Sequence, residues 1–588
     1  MNIMIRHKKK STLPLLALIL YTFHANLFIS HAFTTTTKNN HAKKSLFPPL
    51  STLTSSSTTS TFATLSKGGG FGTTSSSDGK EDLKRKETID SLEQWAKQVG
   101  ILTKDIKVES GSKIIGGGLG LLTTNNIDKP NSLLLQIPTH LTFSTSTSDL
   151  EANTSSEQYF ANNAKAYRAS PWYEKLAIDL FICKSISSLR PNASNNNDEM
   201  VDMKPWLDSL PTSFSTPIHW TQEERQELQY TPLVSMINIQ EKSYMKTYNN
   251  IMKGIEPQSD LDLQKFTYDD FLWGCDCAKS RAFSGSYNGA AFDPKPYVLT
   301  LLLVAAYVGA GLGSLEQASN GAALVLCGSV LKDFVLPKIL LKNYKKYIIC
   351  PFIDMANHIG MKEEGNVAFE YFGNGYSLAS TTKLPKGKEV RISYGPRSND
   401  ILLQQYGFVE EDNAHDVYVM PPLREWDISA LEVAVGRKFL PGRLDKLDRA
   451  GLLGGTSLSL DDDENDFEEG VANRGRGVVI TRAGGIDPAI MAALRVLVSS
   501  EEEWQSAGEA VGNLVTENSG GKENERLARF AAQKALELEL EGKETTLEED
   551  EELMKKMVTW SDAEMLAVQF RIEKKKLLKE TIFSLSLL

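Results

Sequence analysis

Cysteine is scarce in this 588-residue chain: five residues, Cys183, Cys275, Cys277, Cys327 and Cys350, odd in number and without the spacing of a disulfide framework. That usage suits a reducing compartment. It also gives no support to a structural zinc site, because Cys275-Asp276-Cys277 has no second pair to complete a tetrahedron. Acidic residues are missing altogether before Asp78, where eight of the 64 Lys and Arg residues lie. The rest therefore carries 56 bases against all 74 acids, a net charge of −18, which argues against nucleic acid as the main partner. Long apolar runs are few. The stretch Tyr297 to Gly313 is uncharged, but it is short and rich in Gly and Ala and reads as a buried helix, with a membrane-associated segment as the alternative.

What the N-terminus does contain is a basic stretch from Arg6 to Lys10, an apolar run from Leu13 to Phe28, and the small residues Ser30 and Ala32. This is the order of a signal peptide, with cleavage expected after Ala32. Residues 33–77 are rich in Ser and Thr and too polar to pack a core, which is the composition of a transit peptide. The His31-Ala32-Phe33 junction resembles bipartite plastid presequences in which an aromatic follows the cleavage site. The expected destination is the plastid stroma, with plain secretion as the alternative.

Beyond the presequence the length predicts two or three packed units. Leu83, Ile89, Leu92 and Trp95 recur at helical spacings in a charged background and predict a lead-in helix within 78–108. Ile114 to Leu122 and Leu133 to Pro138 read as two short strands joined by a tight connection. Leu176, Leu180, Cys183 and Ile186 predict a helix from Trp172 with one buried face. Tyr347 to Phe408 is rich in β-branched and aromatic residues, with turn signals at Gly373-Asn374-Gly375 and Pro385-Lys386-Gly387. After His415 helical patterns dominate, including Pro488 to Val498 and Asn524 to Leu540.

Two polar clusters stand out. Asp354-Met355-Ala356-Asn357-His358 follows an apolar strand, where polar groups need partners; a satisfied turn would serve as well as a ligand site. Ser393-Tyr394-Gly395 comes 36 residues after His358, followed by Asn399, Leu402, Leu403 and Tyr406-Gly407-Phe408. Taken in this order and spacing, the two resemble the halves of a SET-domain active site. Gly118-Leu119-Gly120-Leu121 resembles its opening glycine motif, and Ser280-Arg281-Ala282-Phe283 resembles a further cofactor-side motif. Trp206-Leu207-Asp208-Ser209-Leu210-Pro211 and Trp220 resemble the insert of one branch, the Rubisco large-subunit methyltransferase-like family, over roughly residues 110–520.

That resemblance implies an α+β fold: a β-rich SET core with pseudoknot-like threading, split by a helical insert and followed by an all-helical substrate-binding domain. The expected boundaries are a signal peptide at 1–32, a transit segment at 33–77, the lead-in helix and first SET part at 78–140, the insert at 141–345, the second SET part at 346–410 and the docking domain at 411–588. The activity implied is protein-lysine N-methylation with S-adenosylmethionine, on a plastid protein such as Rubisco large subunit or fructose-bisphosphate aldolase. A non-catalytic binding module and a histidine methyltransferase are the alternatives.

Carried over residue by residue, Gly117, Gly118, Leu119, Arg281, Asn357, His358, Tyr406, Gly407 and Phe408 are implied to contact the cofactor. Tyr394 matches the catalytic tyrosine. Phe283, Ile353 and Asp354, with Tyr394, are implied on the substrate side. The family often has an acid where this chain has Gly117, so a side-chain bond from that position is not expected. No metal is implied, and no cysteine follows Cys350, so the zinc-binding tail of many histone-modifying SET enzymes cannot form. A monomer with a protein substrate, and no lasting membrane insertion, is expected.

Overall fold

The computed structural model describes residues 79–587 except 112–113, 115–117, 147–163, 186–188, 192–199, 254–265, 287–301, 303–305, 308, 312–344, 361–365, 373–374, 454–476 and 557–560. Tyr297 to Gly313, Ile186, Gly117, Cys327 and the presequence thus lie wholly or largely outside the described residues.

Helix α1 (Gly79–Gln98) buries Leu92, Trp95 and Ala96 on one face, and the Trp95 indole donates to the Asp202 carbonyl at 2.5 Å. It falls within the stretch 78–108, but Leu83, one of the four apolar positions that predict it, is exposed. Strands β1 (Leu102–Thr103) and β2 (Ile106–Ser110) follow, because Ile106 and Val108 alternate with exposed Lys107 in the strand period of two. Strands β3 (Leu119–Thr123) and β4 (Leu133–Pro138) form where expected but do not pair with each other. β3 lies between β2 and β13 (Glu389–Ile392), while β4 lies between β1 and β12 (Gly375–Ser380). The tight hairpin is thus replaced by strands of two different sheets.

The insert is not purely helical. Its strands β5 (Phe143–Ser146) and β8 (Ala282–Ser286) flank β9 (Lys345–Ile349), with Phe283 opposite Ile348. Between them run α2 (Trp172–Ser185), the antiparallel pair β6 (Leu189–Pro191) and β7 (Met200–Asp202), α3 (Thr231–Lys253) and α4 (Tyr268–Arg281). α2 is buried around almost its whole circumference, not on one face. Thr267 and Asp270 form a capping box that starts α4. That helix spans two cores: Phe271 and Cys275 pack within the insert, Cys277 and Ala278 within the β-rich core. Burial pushes both thiols well up from their ordinary range, so they behave as small apolar groups.

After β9 the chain turns through Phe352, a fully enclosed ring on a backbone at φ +68°. Such a conformation costs a non-glycine residue roughly 1–3 kcal/mol, comparable to what burying a Phe side chain contributes. The turn delivers Ile353–Met355 and the two-residue strand β10 (Asn357–His358). The chain then crosses to the other sheet as the hairpin β11 (Val367–Phe372) and β12, and returns as β13, parallel to β10. Helix α5 (Asn399–Tyr406) follows, ended by Gly407 at φ +73°. An added Cβ there would also press on Ser215 and Thr216 at 3.3–3.4 Å, so glycine is required twice over.

The C-terminal region is corrected in one respect: it is not all-helical. Strands β14 (Val417–Met420), β15 (Val478–Thr481) and β16 (Gly485–Ile486) form an antiparallel sheet at its entrance. The longest helices of the region are α6 (Pro488–Val498), α7 (Lys522–Glu541), α8 (Leu547–Lys556) and α9 (Asp562–Leu587). Apolar faces of α6, α7 and α9 share one core with β14 and β15. Among the described residues no helix is long and apolar enough to cross a membrane.

Candidate functional site

The polar strip after β9 gathers the chemistry. Asp354 is fully buried, and its Oδ2 accepts from Arg281 Nη1 at 3.0 Å and from the Trp206 indole at 3.3 Å. The same Arg281 nitrogen donates to the Asp354 carbonyl at 3.0 Å. Asp354 Oδ1 is buried with no hydrogen-bond partner among the described residues. Burial raises the Asp354 pKa, opposed by the charge of Arg281. Leu119, Arg281, Asp354, Met355 and Asn357 wall a small cavity of about 40 Å³, with Ser209 and Pro211 of the insert.

Asn357 ties the strip to the glycine motif. Its amide donates to Glu389 Oε1 at 2.8 Å and reaches the Leu119 carbonyl at 3.4 Å. Close approach explains the glycine at 120: an added Cβ would fall 2.8 Å from the Ile114 side chain and 3.1 Å from Asn357 Nδ2. Gly118, beside it, is half-buried.

A second cluster is aromatic. The Tyr394 ring stacks on Tyr406 at 4.9 Å, and His358 lies 4.9 Å from Tyr394 and 5.7 Å from Phe408, between ring centres. The Tyr394 hydroxyl donates to the Ala356 carbonyl at 3.2 Å, and its backbone N–H donates to His358 Nδ1 at 3.1 Å. Because Nδ1 accepts, the proton of a neutral His358 sits on Nε2, which faces Glu410 Oε2 at 3.3 Å. Burial, with the Tyr406 hydroxyl adding to it, pushes the Tyr394 pKa far above the ordinary phenol range. This tyrosine stays protonated.

Of the residues expected from sequence, Leu119, Arg281, Asp354 and Asn357 meet at the cavity, and His358, Tyr394, Tyr406 and Phe408 meet in the aromatic cluster. Phe283 stacks on Phe369 at 4.6 Å, and Ile353 has no exposed surface. Sequence reasoning missed Trp206, Glu389 and Glu410 as partners of the site. Trp206 carried the best available signal, an indole N–H in a motif already set apart, whereas the two glutamates meet their partners only through pairing 32 and 52 residues away.

Residues 436–578 match the family described as Rubisco LSMT substrate-binding. The chain is 23% identical over 515 residues to the chloroplastic ribulose-1,5 bisphosphate carboxylase/oxygenase large subunit N-methyltransferase of Nicotiana tabacum, covering 85% of this chain and 82% of that protein. It is 23% identical over 506 residues to the chloroplastic [fructose-bisphosphate aldolase]-lysine N-methyltransferase of Arabidopsis thaliana, covering 84% and 82%. The solved SET domain of LSMT bound to lysine and AdoHcy superimposes with a TM-score of 0.50 at 19% identity, covering 85% of this chain and 91% of that one. Over most of its length the chain is thus similar to chloroplastic Rubisco LSMT-like lysine methyltransferases, and it shares the fold of the LSMT SET domain.

Proposed function

We propose that this protein transfers methyl groups from S-adenosylmethionine to a lysine of a plastid stromal protein, with Rubisco large subunit and fructose-bisphosphate aldolase, the substrates its relatives are named for, as the candidates. The observation that carries the reading is the join between the two clusters. The Tyr394 hydroxyl is bonded to Ala356, one residue from Asn357 and two from Asp354.

The donor set fits the cofactor. A cavity with one partnerless carboxylate oxygen at Asp354 and the positive Arg281 in its wall suits a zwitterionic amino-acid group, which offers an ammonium and a carboxylate. Gly118, Leu119, Arg281, Asn357 and His358 would hold it, with Tyr406, Gly407 and Phe408 on the aromatic side; Gly117 is assigned from sequence alone. Bound there, S-adenosylmethionine supplies a methyl group activated by a sulfonium.

What the chain's own residues contribute is alignment and exclusion of water. A lysine amine attacks only when neutral, although its unperturbed pKa is about 10.4, so a dry apolar approach favours the reactive form. Tyr394, held as a phenol, orients the amine and does not remove its proton. The half-buried Phe283 on the Phe369 ring offers an apolar wall that suits a lysine stem better than an imidazole. The acid-free first 77 residues and the chloroplastic relatives support import into the plastid. We assign the segments 78–140 and 346–410 to the SET core, 141–345 to the insert and 411–588 to substrate docking.

The test is transfer of labelled methyl from S-adenosylmethionine into a stromal extract, comparing the wild-type chain with Tyr394→Phe. A labelled band placed on lysine by peptide mass and lost in the variant is expected. Label on histidine, or equal labelling by the variant, would overturn the reading.

A further inference from the structure

The sequence Arg571-Ile572-Glu573-Lys574-Lys575-Lys576 has the look of a solvated helix face, yet Arg571, Glu573, Lys574 and Lys575 are all buried. Lys574 is the deepest case. Its ammonium donates to Asp400 Oδ2, to Asp416 Oδ1 at 2.8 Å and to the Val417 carbonyl at 2.6 Å. The rings of Phe570 and Tyr230 close the remaining sides, 4.8 and 5.5 Å from Nζ.

Burying three charges is a poor way to gain stability, because well-packed apolar side chains of similar volume do as well or better. What such a cluster provides is fixed geometry, and here the geometry leads to the site. Asp416 Oδ1 accepts from the backbone N–H of Asn399, the first residue of α5, at 2.9 Å, and its Oδ2 accepts from Asn399 Nδ2 at 3.2 Å. Asn399 exchanges two bonds with the backbone of Glu410, each 3.0 Å. Glu410 meets His358, and His358 receives the Tyr394 backbone N–H. The other end of α5 carries Tyr406, which stacks on Tyr394. Both ends of this helix therefore bear on one tyrosine.

We propose that Lys574 is a positioning residue of the methyl-transfer site, acting through Asp416, Asn399, Glu410 and His358 to fix Tyr394. The proposal rests on the reading of function given above. It makes the helix that packs against the docking region part of the machinery that aligns the acceptor. Lys574 itself lies inside the stretch that matches the Rubisco LSMT substrate-binding family. Lys575, the next residue, is the natural control. It is buried too, but it donates to Asp550 and Thr545, and Thr545 leads to Gln229 and not to the site.

The experiment compares Lys574→Met with Lys575→Met in the full chain, by two readouts. The first is kcat and KM for methyl transfer. The second, which needs no substrate, is the ring-nitrogen NMR signal of His358 in protein labelled at its eight histidines, assigned by its loss in His358→Gln. Lys574→Met is expected to shift the His358 signal and lower kcat on the order of 10- to 100-fold, the cost of misplacing an aligning group by about 1 Å. Lys575→Met is expected to leave both where they were, per folded molecule. Should Lys574→Met fail to fold, Asn399→Ala breaks the same chain midway and must move the same signal. Equal effects of the two Lys variants, or an unmoved His358 signal in Lys574→Met or Asn399→Ala, would overturn the proposal. If the wild type transfers no methyl at all, the functional reading falls and the ring signal alone decides the relay.

Discussion

Asp354 and Asp550 are both completely buried carboxylates paired with an arginine, but they differ in what they leave unsatisfied. At Asp550 every oxygen is engaged: Oδ1 accepts from Arg571 and Thr545, both at 2.8 Å, and Oδ2 from Lys575 at 2.5 Å. At Asp354, Oδ2 takes two donors while Oδ1 has none among the described residues, and the group lines a cavity. A saturated carboxylate holds structure. A carboxylate left half-satisfied at a cavity wall retains binding capacity for something that arrives. The contrast separates two roles that residue type and burial alone would merge.

The contrast can be broken or sharpened by substitution. Asp550→Ala strands two cations and is expected to cost roughly 3–5 kcal/mol, read as a lower urea midpoint, with methyl transfer per folded molecule unchanged. Tyr394→Phe should do the opposite: a kcat loss on the order of 100-fold with stability shifted by no more than about 1.5 kcal/mol, since only the bond to Ala356 is removed. Gly120→Ala forces a methyl against Ile114 and should cost about 1–3 kcal/mol in thermal unfolding, with weaker cofactor binding because Asn357 is displaced.

The smallest effect belongs to an intermediate case. His219 meets buried Asp276 at 2.6 Å. Burial lowers the His219 pKa, but the hydrogen bond and charge of Asp276 outweigh it and the value is raised. A raised histidine contributes stability that is fully present below its unfolded pKa of about 6.5 and is lost as pH climbs through the folded value. The imidazole is a third exposed, so the contribution should stay below about 1 kcal/mol. The melting difference between wild type and His219→Gln is expected to be largest near pH 5.5 and to vanish in alkaline buffer.

Legibility from sequence followed the same division. Asn357, His358 and Tyr394 were singled out because the two strips that carry them, weak apart, resemble in their order and spacing the halves of a SET-domain active site, and Pro488–Val498 was readable because its apolar spacing is purely local. Glu410 and Lys574 were not, since their meaning lies in partners 52 and 158 residues away and a run of charges on a helix normally faces water. The separation of β3 from β4 into different sheets was hidden for a related reason: strand patterns specify a face, not a neighbour. The sheet at 417–486 escaped because β14 and β15 are separated by more than fifty residues of chain.

The most direct test of the account is a calorimetric titration of the folded chain with S-adenosylhomocysteine, run on wild type, Arg281→Lys and Lys575→Arg. One site per chain is predicted, weakened about tenfold or more by Arg281→Lys, whose single ammonium cannot reproduce a planar guanidinium, and untouched by Lys575→Arg. No binding by the folded wild type, or equal affinity in wild type and Arg281→Lys, would contradict it.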